Sequence, residues 1–347
     1  MTPRASTPAV LVRGRLAAQM LSGRPTRDPL VVVERLLAVQ GQDGRGARLA
    51  IRARSQGLTA RDVDHALTHD RSLLITWLNR GTLHLVRSED YPWLHALTAP
   101  SRLAGNARRL RQEGVSEAQA ERGVRTIVRA LDTDGALTRS ELGERVAAAG
   151  VPTARQALIH ILFLASLRGL IVRGPMVDAH HAYVLTADWL EPAPAVDPDQ
   201  ALAELARRYL SGHGPASDRD LARWSGLPLG RARAGLHAIG AELNERDDGL
   251  VDLAERARAA PVPGPKLLGA FDPLLMGWTS REPILGAAAH IVTSNGMFRP
   301  FALIEGRAAA TWSLPRGEIA LDPLRELTPD ERVALGGEGR DVQRFLD

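Results

Sequence analysis

Two glutamines spaced two apart, beside a glycine, are the residues of this chain whose types could do unusual chemistry. The segment Leu30-Val-Val-Val-Glu-Arg-Leu-Leu-Ala-Val-Gln40-Gly41-Gln42-Asp43 follows Asp28-Pro29 and begins as an amphipathic helix. If Gly41 lets the backbone leave the helix, Gln40 and Gln42 converge on a small target. Neutral amides can hold and orient a water or stabilise a sugar oxocarbenium ion, but they cannot act as a strong general base. The same residues also read as a polar helix C-terminus with a glycine stop. A second segment is Thr76-Trp-Leu-Asn-Arg80-Gly81-Thr-Leu-His84-Leu-Val86. Arg80-Gly81 reads as a turn into a strand on which His84 faces away from Leu83 and Leu85. Arg80 and His84 could meet a phosphate or a base, or form a hydrogen-bonded structural pair. Arg45, Arg48, Arg52 and Arg54 follow Gln42, and Arg102, Arg108, Arg109 and Arg111 form a second cluster on a predicted helix.

Composition narrows the chemistry. The chain has 347 residues, 44% hydrophobic and 24% charged, which is enough for two or more domains. With 0 cysteines it has no disulfide, thiolate nucleophile, iron–sulfur cluster or cysteine zinc site. There is no Gly-rich phosphate loop, no His-Glu-x-x-His and no Gly-x-Ser-x-Gly elbow. His180 and His181 are neighbours that point to opposite faces of a strand, so no metal site and no cofactor are expected. No apolar run is long enough to span a membrane. Met1–Val10 has Pro3 and Pro8 and no long apolar core, so a signal peptide is not expected and the cytoplasm is the expected compartment. The net charge is only +4, but residues 1–115 carry 18 arginines against 9 acidic residues, and the remainder carries 26 basic against 31 acidic. A basic half on a near-neutral protein points to a polyanion partner.

The elements that must position these residues are organised as a repeat. Thr59-Ala-Arg-Asp62-Val63, Thr138-Arg-Ser-Glu141-Leu142 and Ser217-Asp-Arg-Asp220-Leu221 each place an acid three residues after a hydroxyl, then an apolar residue, 79 residues apart both times. That is the capping-box pattern at a helix start, and equal spacing argues for a repeated unit. After Thr138 the pattern predicts a helix, a break at Gly150-Val151-Pro152, a helix from Thr153 to Arg168, and strands at Leu170–Val172 and Tyr183–Leu185. After Ser217 the same order recurs, with a hairpin around Asp247-Asp248-Gly249. Helix, helix, hairpin is a winged-helix unit. After Thr59 a helix is expected to about His69, then a strand at Leu83–Val86. Helical connectors are expected over Tyr91–Gln112, Glu117–Leu131 and Pro198–Leu210, and linkers at Glu191–Pro198 and Arg256–Pro265. Beyond these, the strands Lys266–Phe271, Phe301–Leu314 and Gly317–Leu321 suggest a small antiparallel barrel or sheet with a turn at Glu305-Gly306, and Thr328 caps a last helix. The expectation is an α+β fold, mostly α. It has three tandem winged-helix units, helical connectors and a small C-terminal β-barrel. The divisions fall at 1–115, 116–192, 193–262 and 263–347.

Taken in order, Leu36-Leu-Ala-Val-Gln40-Gly41-Gln42, Trp77-Leu-Asn-Arg80-Gly81-Thr-Leu-His84-Leu85 and Leu267-Leu-Gly-Ala-Phe-Asp272-Pro-Leu-Leu-Met-Gly277 resemble the AlkZ-like DNA glycosylases, over nearly the whole chain. The resemblance implies tandem winged-helix units with a C-terminal β-barrel and a monomeric enzyme. It also implies excision of N7-alkylguanine, in some members as bulky adducts or interstrand crosslinks made by genotoxic natural products, a form of self-resistance. The family's catalytic pattern, Gln, a hydrophobic residue, then Gln or Asp, falls on Gln40, Gly41 and Gln42, with glycine in the middle here. Gln rather than Asp at the second position resembles the crosslink-resistance branch. An N7-alkylguanine is already cationic and leaves readily, so the protein's task is to position water and stabilise charge on the sugar. The expected partner is double-stranded DNA carrying alkylated guanine, met by Arg45, Arg48, Arg52, Arg80, His84, Arg108 and Arg109. With Lys266 the sole lysine, no Schiff-base lyase step is expected. The alternative is a non-catalytic winged-helix DNA-binding regulator.

Overall fold

The computed structural model describes residues 8–177, 180–256 and 261–347. Its contacts divide the chain into two compact units, Met1–Val63 with Leu202–Asp347, and Asp64–Ala201. The first seven residues, Asp178-Ala179 in the expected loop before His180, and residues 257–260 of the expected Arg256–Pro265 linker lie outside the described residues.

The first unit opens with helix Pro8–Ala18 and helix Pro29–Leu36. Asp28 caps the second: its Oδ1 accepts from the Leu30 N–H at 2.8 Å, and Pro29 supplies a preset φ. Val32, Val33 and Leu36 form its buried stripe. The helix stops at Leu37, which takes φ 62, and strand β1 (Val39–Gln40) follows. Helix Gly44–Arg52 comes next, and helix Ala60–Thr68 spans the division at Val63 between the units.

The second unit pairs β2 (Leu73–Leu78) with β3 (Thr82–Arg87) in a regular antiparallel register, Leu73 opposite Arg87 and Leu78 opposite Thr82. The expected connector over Tyr91–Gln112 is two helices, Tyr91–Thr98 and Leu103–Gln112, because Pro100 cannot donate within a continuous helix. Helices Glu117–Asp134, Arg139–Ala148 and Ala157–Leu167 lead to β4 (Ile171–Val177) and β5 (His180–Leu185). The strands lie side by side in the order β3-β2-β4-β5. Trp77, Val124, Ile127, Leu142, Val146, Ile161 and Tyr183 pack into one core beneath them.

The chain then returns to the first unit. Helices Asp218–Ser225 and Leu229–Ala238 precede the hairpin β6 (Leu243–Glu245) and β7 (Val251–Leu253). Strands β8 (Lys266–Leu268), β9 (Phe301–Ile304), β10 (Arg307–Ser313) and β11 (Ala320–Pro323) form a four-stranded antiparallel sheet in the order β11-β10-β9-β8. This corrects the expected barrel. β8 and β11 are the two edges of an open sheet, and strands this few and short cannot curve far enough to close. Helix Pro329–Leu346 lies against β8 instead, burying Leu335, Val342 and Phe345, and Glu338 accepts from the Leu267 N–H at 3.0 Å. The turn at Glu305-Gly306 forms as expected, with φ 50 and φ 80, the primed-turn geometry that suits strand twist.

Of the three repeated starts, two close the capping box in both directions: Thr138 with Glu141 and Ser217 with Asp220. Each is followed by helix, helix and hairpin. At Thr59 only half of the box forms. Asp62 Oδ2 accepts from the Thr59 N–H at 2.6 Å, but the Asp62 N–H bonds the Thr59 carbonyl rather than its hydroxyl. Helix Ala60–Thr68 runs directly into β2 with no second helix.

Two buried histidines contribute to the pH response of the fold. His84 on β3 and His213 are each pushed down to about 3, chiefly by burial. His213 stacks on Tyr209 at 4.9 Å and also meets the rings of Trp224 and Trp278. An unfolded histidine takes up its proton near pH 6.5, so between about 6.5 and 3 the unfolded chain binds protons that the folded chain refuses. Stability therefore falls as pH drops through this window. The urea midpoint is expected to be clearly lower at about pH 5.5 than at about pH 7.5. Equal midpoints would contradict the assignment of neutral, buried rings.

Candidate active site

The glutamine pair lies where two elements change over. The four residues Leu36 to Val39 are all buried. They hold the chain after the helix as Leu37, at φ 62 with the Ala38 N–H donating to the Leu36 carbonyl at 2.7 Å, turns it into β1, and a non-glycine residue there needs surrounding packing to keep it. Gln40 ends β1 and is 6% exposed, whereas Gln42 is exposed. The pair is therefore not at the end of a helix, as the sequence suggested. It sits on the short extended link before helix Gly44–Arg52. That link is pinned at its far end by Asp43, whose Oδ1 accepts from the Gly46 N–H at 2.5 Å. Gly46 is required there, since a Cβ would collide with the Ala270 carbonyl oxygen.

The arginines after Gln42 divide sharply. Arg45 is exposed on the first turn of the helix. It lines an open cleft of about 500 Å³ with Asp43, Leu49, Pro300 and Trp312. Arg48 is buried and its Nη1 donates to the Gly44 carbonyl at 2.8 Å. Arg52 is buried too, and its guanidinium donates to Glu338 and Asp341, each at 2.9 Å, and to the Leu267 carbonyl. Arg48 and Arg52 are thus corrected from phosphate contacts to internal ties. Arg54 is wholly buried and grips Asp272 through two bonds of 2.9 and 2.8 Å, with Gln19 and the Ala50 carbonyl taking its remaining protons. Asp272, from the third motif, also accepts from the Leu274 N–H. This ion pair was not foreseen in the sequence, because its members are 218 residues apart.

In the second unit, Arg80 is half-buried in the turn between β2 and β3. Gly81 takes φ 83 beside the Phe163 ring, which a Cβ would meet at 3.3 Å. His84 is 3% exposed. Its Nδ1–H donates to the Thr82 carbonyl at 2.8 Å, and Arg80 adds to the burial that keeps it neutral. His84 therefore brings no positive charge to a phosphate, and its role is corrected to a neutral, internal one. Arg108, Arg109 and Arg111 are exposed on helix Leu103–Gln112. Asn106 anchors that helix: its Oδ1 accepts from His160 Nδ1 at 2.8 Å and its Nδ2 donates to the His160 carbonyl at 3.0 Å. The three arginines form an exposed basic face on that helix. Among the described residues no cluster of histidine and acid side chains could hold a metal ion, and no helix is long and apolar enough to cross a membrane.

The family model described as "DNA glycosylase AlkZ-like" matches residues 33–345. The chain belongs to the AlkZ-like DNA glycosylase family. Its members' names are those of hydrolases that cut N-glycosyl bonds. An interstrand DNA cross-link repair glycosylase from Streptomyces sahachiroi is 29% identical over 354 residues, covering 95% of this chain and 94% of that one. The solved structure of Streptomyces sahachiroi DNA glycosylase AlkZ matches with a TM-score of 0.76 at 26% identity, over 99% of this chain and 97% of that chain. Within this AlkZ-like chain, the first and third motifs lie in one unit, the second in the other.

Proposed function

We propose that this protein is a monofunctional DNA glycosylase that hydrolyses the N-glycosidic bond of N7-alkylguanine, including bulky adducts and interstrand crosslinks from a genotoxic natural product. The observation that carries this reading is the placement of Gln40 and Gln42 on a link pinned between Leu37 and Asp43. Their carbonyl oxygens accept from an attacking water and face the positive charge that develops on the sugar. The amide groups need no proton transfer of their own, because the alkylated base leaves without one. Orientation and electrostatics then carry the rate. The helix, helix, hairpin repeats after Thr138 and Ser217 are read as winged-helix modules that dock on duplex DNA. The enzyme acts as a monomer in the cytoplasm, without a cofactor.

Exposed Arg45, Arg108 and Arg109, with Arg80, are the proposed phosphate contacts. Each neutralised phosphate releases counterions, so affinity falls steeply with salt. Reversing charge in Arg108→Glu with Arg109→Glu is expected to weaken binding uniformly across sequences. It also flattens the salt dependence by about two units of slope in a plot of log affinity against log salt. An unchanged slope would remove this face from the DNA path. The test of function is incubation with alkylated duplex DNA. Alkali-labile sites are expected to accumulate with the strand unbroken before alkali. Tight binding to one undamaged sequence without base release would support a regulator instead.

A further inference from the structure

The turn between β2 and β3 buries polar side-chain atoms that have no hydrogen-bond partner. Asn79 is 1% exposed, yet both its Oδ1 and its Nδ2 lack a hydrogen-bond partner. It also holds φ 50, in the left-handed region. Three residues on, the Thr82 hydroxyl is buried and unpartnered as well. Three orphaned polar atoms therefore fall within one four-residue stretch, on either side of the Arg80 cation. Burial without hydrogen bonds costs free energy at each atom. Glycine at position 79 would relieve both the orphaned amide and the backbone conformation. Valine at position 82 would fill the same space on a strand without burying a hydroxyl. Each position thus bears a costlier side chain than local stability calls for, and such costs concentrate at sites of function.

We propose that Asn79 and Thr82 hydrogen-bond a nucleotide of the substrate DNA. The inference rests on the glycosylase reading above. A carboxamide offers one acceptor and two donors in a plane, the pattern that pairs with a base edge. A hydroxyl can serve a base edge or a sugar oxygen, and neighbouring Arg80 supplies positive charge for the adjoining phosphate. Because the amide and the hydroxyl have no hydrogen bonds to break, exchanging their burial for contact with DNA costs the turn only packing. Glycosylases commonly read the base they act on through such bonds once it has left the stack.

The test measures thermal stability and single-turnover excision of N7-methylguanine for Asn79→Gly and Thr82→Val beside the wild type. The expected result is a divergence: melting temperatures at or above that of the wild type, with excision slowed at least about tenfold in Asn79→Gly and several-fold in Thr82→Val. A purely structural role would instead lower the melting temperature, and that result overturns the proposal. Excision within about twofold of wild type in both variants would also overturn it. Failure of the wild type to excise the base would overturn the glycosylase reading itself and is read from a separate lane.

Discussion

Replacing Gln40 and Gln42 together with alanine is expected to abolish base excision while leaving affinity for undamaged duplex DNA nearly unchanged. The two amides are proposed to act only on the water and the charged sugar, so they contribute more in the transition state than in binding. Removing one preorganised polar group from a reacting centre typically costs on the order of 100- to 1,000-fold in rate. The double variant should therefore show no measurable release on the time scale of the wild type. Loss of the buried Gln40 side chain is expected to lower stability modestly, with the link still held by Asp43 and Leu37, and a melting curve of the double variant checks that it is folded. Single-turnover excision beside a binding titration checks the prediction. Excision that persists at the wild-type rate would move catalysis away from these residues.

The largest effect on stability is expected at Asp272. Its carboxylate holds the Arg54 guanidinium with both groups fully buried. Truncation in Asp272→Ala would leave an unpaired charge in the interior, a loss of about 3–5 kcal/mol. Removing both partners, as Arg54→Met with Asp272→Leu, should cost much less, because two desolvated charges vanish together. Urea denaturation of the single and double variants measures the difference. A single variant as stable as wild type would show that the pair is not closed off from water. Asp272 of the third motif is on this account a brace for Arg54, just past the end of helix Gly44–Arg52, and not a catalytic acid.

Local chemistry was legible in the sequence wherever neighbouring residues decide it. The capping boxes at Thr138, Ser217 and Thr328 and the turn at Glu305-Gly306 formed as read, because a hydroxyl and an acid three apart, or a glycine in a hairpin, act within one turn of chain. What tertiary burial decides was not legible. Leu36 to Val39 continue a helical apolar pattern, yet burial of all four carries the chain out of the helix at Leu37 and places Gln40 on a strand. A row of arginines cannot reveal which of them face solvent. Arg45 does, whereas the acids that enclose Arg52 and Arg54 come from 218 to 289 residues away. Alternation on β3 suggested one facing for His84, but the strand is buried on both sides there. The family motif located Gln40 and Gln42 by residue type alone. The same motif class also contains Asn79, whose unusual burial needs coordinates to be seen.

The most direct test of the glycosylase account is mass analysis after incubation with two duplexes, one carrying a single N7-methylguanine and one a bulky N7-guanine adduct. The account predicts a free, intact alkylated guanine from the bulky lesion and an unbroken strand bearing an abasic site. Release from the methylated duplex as well would mark a broad substrate range. No free base from either duplex, with DNA binding intact, would contradict it.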